Sequence, residues 1–175
     1  MSIQVSGEIC VHIRWLVGRD MAEVLSIEQE SFEFPWSEDD YRRCLRSRNC
    51  IGMVADYQGQ VVGYMIYELG KNKIQLLNMA TAKQYRRCGI ATQMIAKLIG
   101  KLSLQRRSRI TLEIRETNLP AQLFFRSAGF RATQVLKNYY EQMQEDAYLM
   151  QFRYTPEDNA EVYYEAHNRI IQYLT

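Results

Sequence analysis

Between residues 9 and 16, apolar and polar side chains roughly alternate, which predicts a strand. The spacing then changes. Val24, Leu25 and Ile27 fall on one helical face, predicting a helix over 21–31 with Asp20 as its cap. Phe34-Pro35-Trp36 interrupts that pattern, since proline cannot continue a helix. Ser37 opens a second, short helix, and Ser37-Glu38-Asp39-Asp40 has the shape of a capping box. Strand patterning returns over 50–57 and 60–69, and Gln58-Gly59 reads as the tight turn of a hairpin. Lys71-Asn72 turns the chain into a further strand over 74–81. From Gly89 onward, Ile90, Ala91, Met94, Ile95, Leu98, Ile99 and Leu102 recur at helical spacing. Residues 109–115 alternate cleanly, with Ile110, Leu112 and Ile114 on one face and Thr111, Glu113 and Arg115 on the other. A short helix over 119–128 closes at Gly129, and strands follow over 130–136 and 147–154. The pattern ends in an amphipathic helix over 156–174. These elements predict an α/β (α+β) domain over 1–155, a mostly antiparallel mixed sheet flanked by helices, with a helical extension over 156–175.

Composition narrows the function classes. The 175 residues suit one domain with a sizeable core. Basic residues number 22 and acidic ones 20, so the net charge of +2 gives no case for nucleic acid as the main partner. The basic run Gln105-Arg106-Arg107-Ser108-Arg109 reads as a solvated loop. No stretch of 18 apolar residues predicts a membrane span, and residues 1–10 lack a signal-peptide pattern. Cys10, Cys44, Cys50 and Cys88 form no CxxC pair, and only His12 and His167 could join them, so no metal site is expected. The expectation is a cytoplasmic protein with reduced thiols.

The candidate chemistry begins at Arg86-Arg87-Cys88-Gly89-Ile90-Ala91, between a strand and a helix. A helix N-terminus offers unpaired N–H groups and partial positive charge, glycine lets a ligand approach the backbone, and the arginines add charge. Such a turn suits a pyrophosphate. A solvated basic turn is the alternative that spacing alone leaves open. The pattern is neither a Walker loop nor a GxGxxG fingerprint. Cys88 has no nearby base and reads as a spacer.

Arg86-x-x-Gly89-x-Ala91 resembles the acyl-coenzyme A motif of the GNAT acetyltransferase superfamily. Further segments occur in the family's order: Ile27-Glu28-Gln29, Phe34-Pro35-Trp36-Ser37, Leu112-Glu113-Ile114-Arg115, Asn118, Ala128-Gly129-Phe130, Asn138-Tyr139-Tyr140 and Glu145-Asp146-Ala147. This set, spanning about residues 19–154, resembles the RimI-type ribosomal-protein alanine N-acetyltransferases. The resemblance implies the GNAT fold and transfer of acetyl from acetyl-CoA, without a metal, to the N-terminal amine of a protein. Met79, Ala80 and Thr81 match the strand edge that holds the thioester and pantetheine. Arg86, Arg87, Cys88, Gly89, Ile90, Ala91 and Thr92 match the pyrophosphate loop, and Asn118 a coenzyme contact. Glu113 matches the general base; Phe34, Pro35, Trp36, Tyr139 and Tyr140 match the acceptor site.

Two alternatives accompany these roles. Glu113 also reads as an ion-pair partner of Arg115, and Phe34-Pro35-Trp36 as an aromatic plug between helices. The chain departs from the family at Phe125, twelve residues after Glu113, where the pattern keeps a tyrosine that protonates the leaving thiolate. Tyr139, Tyr140 or water are the substitutes. Acetylation of a small amine and a non-catalytic acyl-CoA-binding module are the competing functions. The sequence leaves the oligomeric state open.

Overall fold

The computed structural model describes residues 7–155, so the helix expected over 156–174 lies outside them. Seven strands form one sheet: β1 (His12–Trp15), β2 (Cys50–Tyr57), β3 (Gln60–Leu69), β4 (Ile74–Thr81), β5 (Arg109–Arg115), β6 (Arg131–Tyr140) and β7 (Glu145–Arg153). Their order is β1-β2-β3-β4-β5-β7-β6, and every neighbouring pair is antiparallel except β4 with β5. Among the described residues, four helices flank it: α1 (Met21–Ser31), α2 (Glu38–Leu45), α3 (Ile90–Ile99) and α4 (Leu119–Ser127).

Two apolar layers hold the helices to the sheet. On one face, Ile90, Met94, Ile95 and Leu98 of α3 and Phe125 of α4 pack with Ile110, Leu112 and Ile114 of β5. On the other, Val24 and Ile27 of α1 and Tyr41 of α2 pack with Val54, Tyr64 and Ile66. The alternation of β5 is therefore the switch between layers, with Glu113 and Arg115 on the α1 side.

Most local expectations hold for identifiable reasons. The hairpin turn carries φ 53° at Gln58 and 84° at Gly59, the doubly left-handed geometry whose twist matches the flanking strands. The capping box at α2 forms: the Asp40 N–H donates to Ser37 Oγ at 3.2 Å, and the Ser37 N–H donates to Asp40 at 2.9 Å.

Three expectations are corrected. β1 is shorter than the 9–16 pattern, because residues 9–11 cross the start of α3 instead. There the Ile9 N–H donates to Cys88 O at 3.1 Å, the Gln93 Nε2 donates to Ile9 O at 2.7 Å, and the Val11 N–H donates to Gln93 Oε1 at 3.1 Å. Asp20 precedes α1 but makes no side-chain cap, since Arg14 holds both its carboxylate oxygens at 2.7 and 2.9 Å. Cys44 and Cys50 form a disulfide rather than two thiols, joining the last turn of α2 to the first residue of β2.

Candidate active site

The sheet opens where β4 and β5 meet. Only Ile74–Ile110 and Gln75–Thr111 pair across them, so residues 76–81 and 112–115 part. An irregularity in β4 accompanies the split. Ile66 pairs with Asn78 but Tyr67 with Leu76, leaving Leu77 as an extra residue. A bulge inverts the facing of the residues beyond it. Leu76 thus joins the α3 layer, whereas Asn78 and Ala80 turn toward α1. Met79 and Thr81, half-buried, lie on the strand edge left without a partner.

Beyond β4, the segment from Arg86 to Gly89 leads into α3. Arg87 has φ 67° and Gly89 φ 77°, a left-handed pair on either side of Cys88. Gly89 is the N-cap and provides no side-chain cap. The N–H groups of Ile90, Ala91 and Thr92 have no acceptor among the described residues. Uncapped N–H groups at a helix start, beside left-handed backbone, fit a diphosphate. Arg86 contributes differently from Arg87. Its guanidinium turns back to Thr81 O at 3.1 Å and Ser31 Oγ at 2.9 Å, bracing the loop against β4 and α1. Arg87 faces α4 across a cavity of about 470 Å³ lined also by Leu119, Pro120, Leu123, Phe124 and Ser127. Cys88 is buried, its thiol directed at Arg86 O at 3.6 Å. Asn118, the expected coenzyme contact, accepts from the Ala121 N–H at 3.2 Å as the cap of α4.

On the opposite side of the opening stands Glu113. The ion pair with Arg115 does not form. Arg115 instead binds Glu145 at 2.7 Å and Glu33 at 3.3 Å, and these carboxylates raise its pKa. Glu113 accepts from Gln75 Nε2 at 3.2 and 3.4 Å. Tyr139 and Tyr140 close this side, their rings edge-on at 5.1 Å. Burial raises both phenol pKa values, and the Glu113 charge adds to each, so both stay protonated donors near neutral pH. Phe34 is 51% exposed on the loop between α1 and α2, while Trp36 is half-buried against Tyr41, ring centroids 5.3 Å apart. Trp36 thus packs inward as the plug reading expects, while Phe34 and Pro35 remain exposed.

Phe125 lies on the other side of the opening. Its ring packs edge-on against Phe124 and Phe130 at 5.0 and 5.2 Å within the α4 layer.

A protein-family model for the GNAT acetyltransferase family matches residues 21–130. The chain belongs to that family. Among GNAT relatives, a Bacillus subtilis protein provisionally named [ribosomal protein bS18]-alanine N-acetyltransferase is 28% identical over 132 residues, covering 75% of this chain and 87% of the relative. The Escherichia coli K12 [ribosomal protein bS18]-alanine N-acetyltransferase is 27% identical over 133 residues, covering 75% and 89%. The crystal structure of the E. coli ribosomal-protein-S18-alanine N-acetyltransferase superposes with a TM-score of 0.74 at 25% identity, covering 82% of this chain and 94% of that one. The fold is the GNAT fold, and the protein is an N-acetyltransferase. Among the described residues, no group of three or more His, Cys, Asp or Glu could hold a metal, and no helix is long and apolar enough to cross a membrane.

The structure adds residues that the motif reading left without a role. Gln75 holds Glu113. Glu28, buried to 1% exposure, gathers Tyr41, Tyr64 and Asn78 around it. One signal was present in the sequence. Val24, Ile27, Glu28 and Ser31 share a helical stripe, so a carboxylate sits among the inward positions of α1.

Proposed function

We propose that this enzyme transfers the acetyl group of acetyl-CoA to the N-terminal α-amine of a protein, with a ribosomal protein as the acceptor. The observation that supports the reading is Glu113, held by Gln75 on β5 where β4 and β5 part, with Tyr139 and Tyr140 close enough to feel its charge. The names of the relatives support the acceptor class. A cytoplasmic location goes with that acceptor.

Acetyl-CoA supplies an acyl thioester with a tolerable thiolate leaving group. The N–H groups of Ile90, Ala91 and Thr92 bind the diphosphate, and Arg87 with the apolar face of α4 takes the rest of the nucleotide. The free edge at Met79, Ala80 and Thr81 aligns the pantetheine arm by backbone hydrogen bonds. Phe34, Pro35, Trp36, Tyr139 and Tyr140 hold the acceptor peptide. Glu113, oriented by Gln75, takes the amine proton. An α-amine of pKa about 7.8 is roughly 14% neutral at pH 7, against about 0.04% for a lysine, so one carboxylate suffices. Tyr139, Tyr140 or water supplies the proton to the departing thiolate in place of the hydroxyl missing at Phe125.

A polyamine or aminoglycoside would call for unpaired carboxylates at the mouth. Arg115 already holds Glu33 and Glu145 there, which favours the peptide. A non-catalytic role has only Phe125 in its favour and leaves the held carboxylate of Glu113 without a task.

The test is thiol release from acetyl-CoA with peptides of different first residues, for wild type and Glu113→Gln between pH 6 and 9. Glu113→Gln is expected to lower kcat by about tenfold or more near neutral pH, a defect that shrinks as more amine becomes neutral. A wild-type rate across the whole range removes Glu113 as the base. No turnover of any peptide by wild type removes the protein acceptor.

A further inference from the structure

Glu28 is an unusual group to find at the centre of an apolar layer. Its residue is 1% exposed, among Val24, Ile27, Tyr41 and Tyr64. Burying a carboxylate is costly unless its oxygens are fully hydrogen-bonded. Here they are, by neutral donors from four different segments. Oε1 accepts from the Trp36 backbone N–H at 2.8 Å and from Asn78 Nδ2 at 3.1 Å. Oε2 accepts from the Tyr41 hydroxyl at 2.8 Å, from the Tyr64 hydroxyl, and from Asn78 Nδ2 at 3.0 Å. With its lone pairs taken, Glu28 is placed to hold groups rather than to accept a proton from substrate.

The donors identify what is held. Trp36 closes the exposed loop that carries Phe34 and Pro35. Asn78 precedes Met79 on the free edge of β4, just after the extra residue that starts the parting of β4 from β5. Tyr41 and Tyr64 complete an aromatic stack under Trp36, with centroid spacings of 5.3 and 6.0 Å. One carboxylate thus ties the acceptor loop to the donor strand. Stability alone gives little reason for it, because a well-packed apolar side chain often stabilises a core as much as a buried ionic group does.

We propose that Glu28 is a positioning residue for the acceptor site. It fixes the loop of Phe34, Pro35 and Trp36 at a set distance from the β4 edge through the Trp36 N–H and Asn78. This rests on the protein-acceptor reading above. A misplacement of about 1 Å at such a site costs up to about 10²-fold in rate.

The experiment uses the full chain in a Trp15→Phe background, since Trp15 is exposed on β1 and Trp36 is the second of two tryptophans. Glu28→Leu keeps the volume and removes both acceptors; Glu28→Asp, for the case that the leucine variant does not fold, withdraws the carboxylate by one methylene. Either change is expected to raise the acceptor-peptide KM about tenfold or more. The acetyl-CoA KM should stay within about twofold, and Trp36 emission should shift to the red as the loop detaches. Glu28→Gln, which keeps an oxygen for the Trp36 N–H, is expected to restore most of the affinity. An unchanged acceptor KM, or an equal rise in both KM values, overturns the proposal. If wild type acetylates no peptide, the acceptor reading falls on its own, and an unshifted Trp36 spectrum in a folded Glu28→Leu protein still overturns the anchoring.

Discussion

At Phe125 a single missing hydroxyl separates this chain from the pattern it resembles. The ring is 7% exposed and packs on Phe124 and Phe130, so a tyrosine there needs room and a partner for one added hydroxyl. Phe125→Tyr is expected to preserve or raise kcat with little change in KM, because a proton donor acts as the thiolate departs. Steady-state kinetics with one peptide check this, and a strongly impaired enzyme would show that the apolar ring itself is required. Gly89 is the second residue whose proposed role can be tested. Its φ of 77° is a conformation that side chains with a Cβ rarely adopt, and a Cβ there would meet Glu8 Cγ at 3.7 Å. On the sequence alone, glycine at this position serves the close approach of a phosphate. The geometry points instead to a twist of the backbone that presents the N–H groups of Ile90, Ala91 and Thr92. Gly89→Val is expected to weaken acetyl-CoA binding by about tenfold or more in a folded protein, as measured by calorimetry. Unchanged affinity would move the phosphate site elsewhere. Gly89 and Glu113 come forward as candidates through the resemblance, because both occupy fixed places in its motifs. Gln75 was not legible as a partner of Glu113, since their contact depends on the β4–β5 register across 38 residues.

Among the elements, α2 shows how local and non-local terms combine. Its start is written locally, in the reciprocal bonds of Ser37 and Asp40. Its end is fixed by the disulfide from Cys44 to Cys50, six residues on. Closing so short a loop is worth roughly 2 kcal/mol by the chain-entropy estimate. Cys44→Ser is therefore expected to lower the melting temperature by roughly 4–8 °C, and reductant should do the same to wild type but not to the variant. Equal melting of wild type with and without reductant would show that the bond contributes nothing. The spacing of Cys44 and Cys50 carried no recognisable pairing motif; their approach follows from α2 packing back onto β2. The parting of β4 and β5 is of the same kind. Each strand was readable from its alternation, but the extra residue at Leu77 appears only once β4 is paired with β3.

Across the whole molecule, the groups given roles in the proposed chemistry lie between Glu28 and Tyr140, and the last described strand, β7, ends at Arg153. Truncation after Thr155 is expected to leave turnover at saturating substrate largely intact. Loss of turnover in a truncated protein that still melts cooperatively would bring residues 156–175 into the active unit. The amino-acid sequence alone determined the elements, their period and the order of the motifs, because periodicity, caps and tight turns depend on neighbours within a few residues. The resemblance carried by its ordered motifs indicated an acetyltransferase and offered Glu113 as the candidate base. Tertiary structure alone decided that Arg115 binds Glu33 and Glu145 rather than Glu113. It also drew residues 9–11 across the start of α3 and surrounded Glu28 with donors from α2, β3, β4 and the loop at Trp36. A buried carboxylate takes whichever donors the packed layers bring to it, and those come from places in the chain that no local pattern connects.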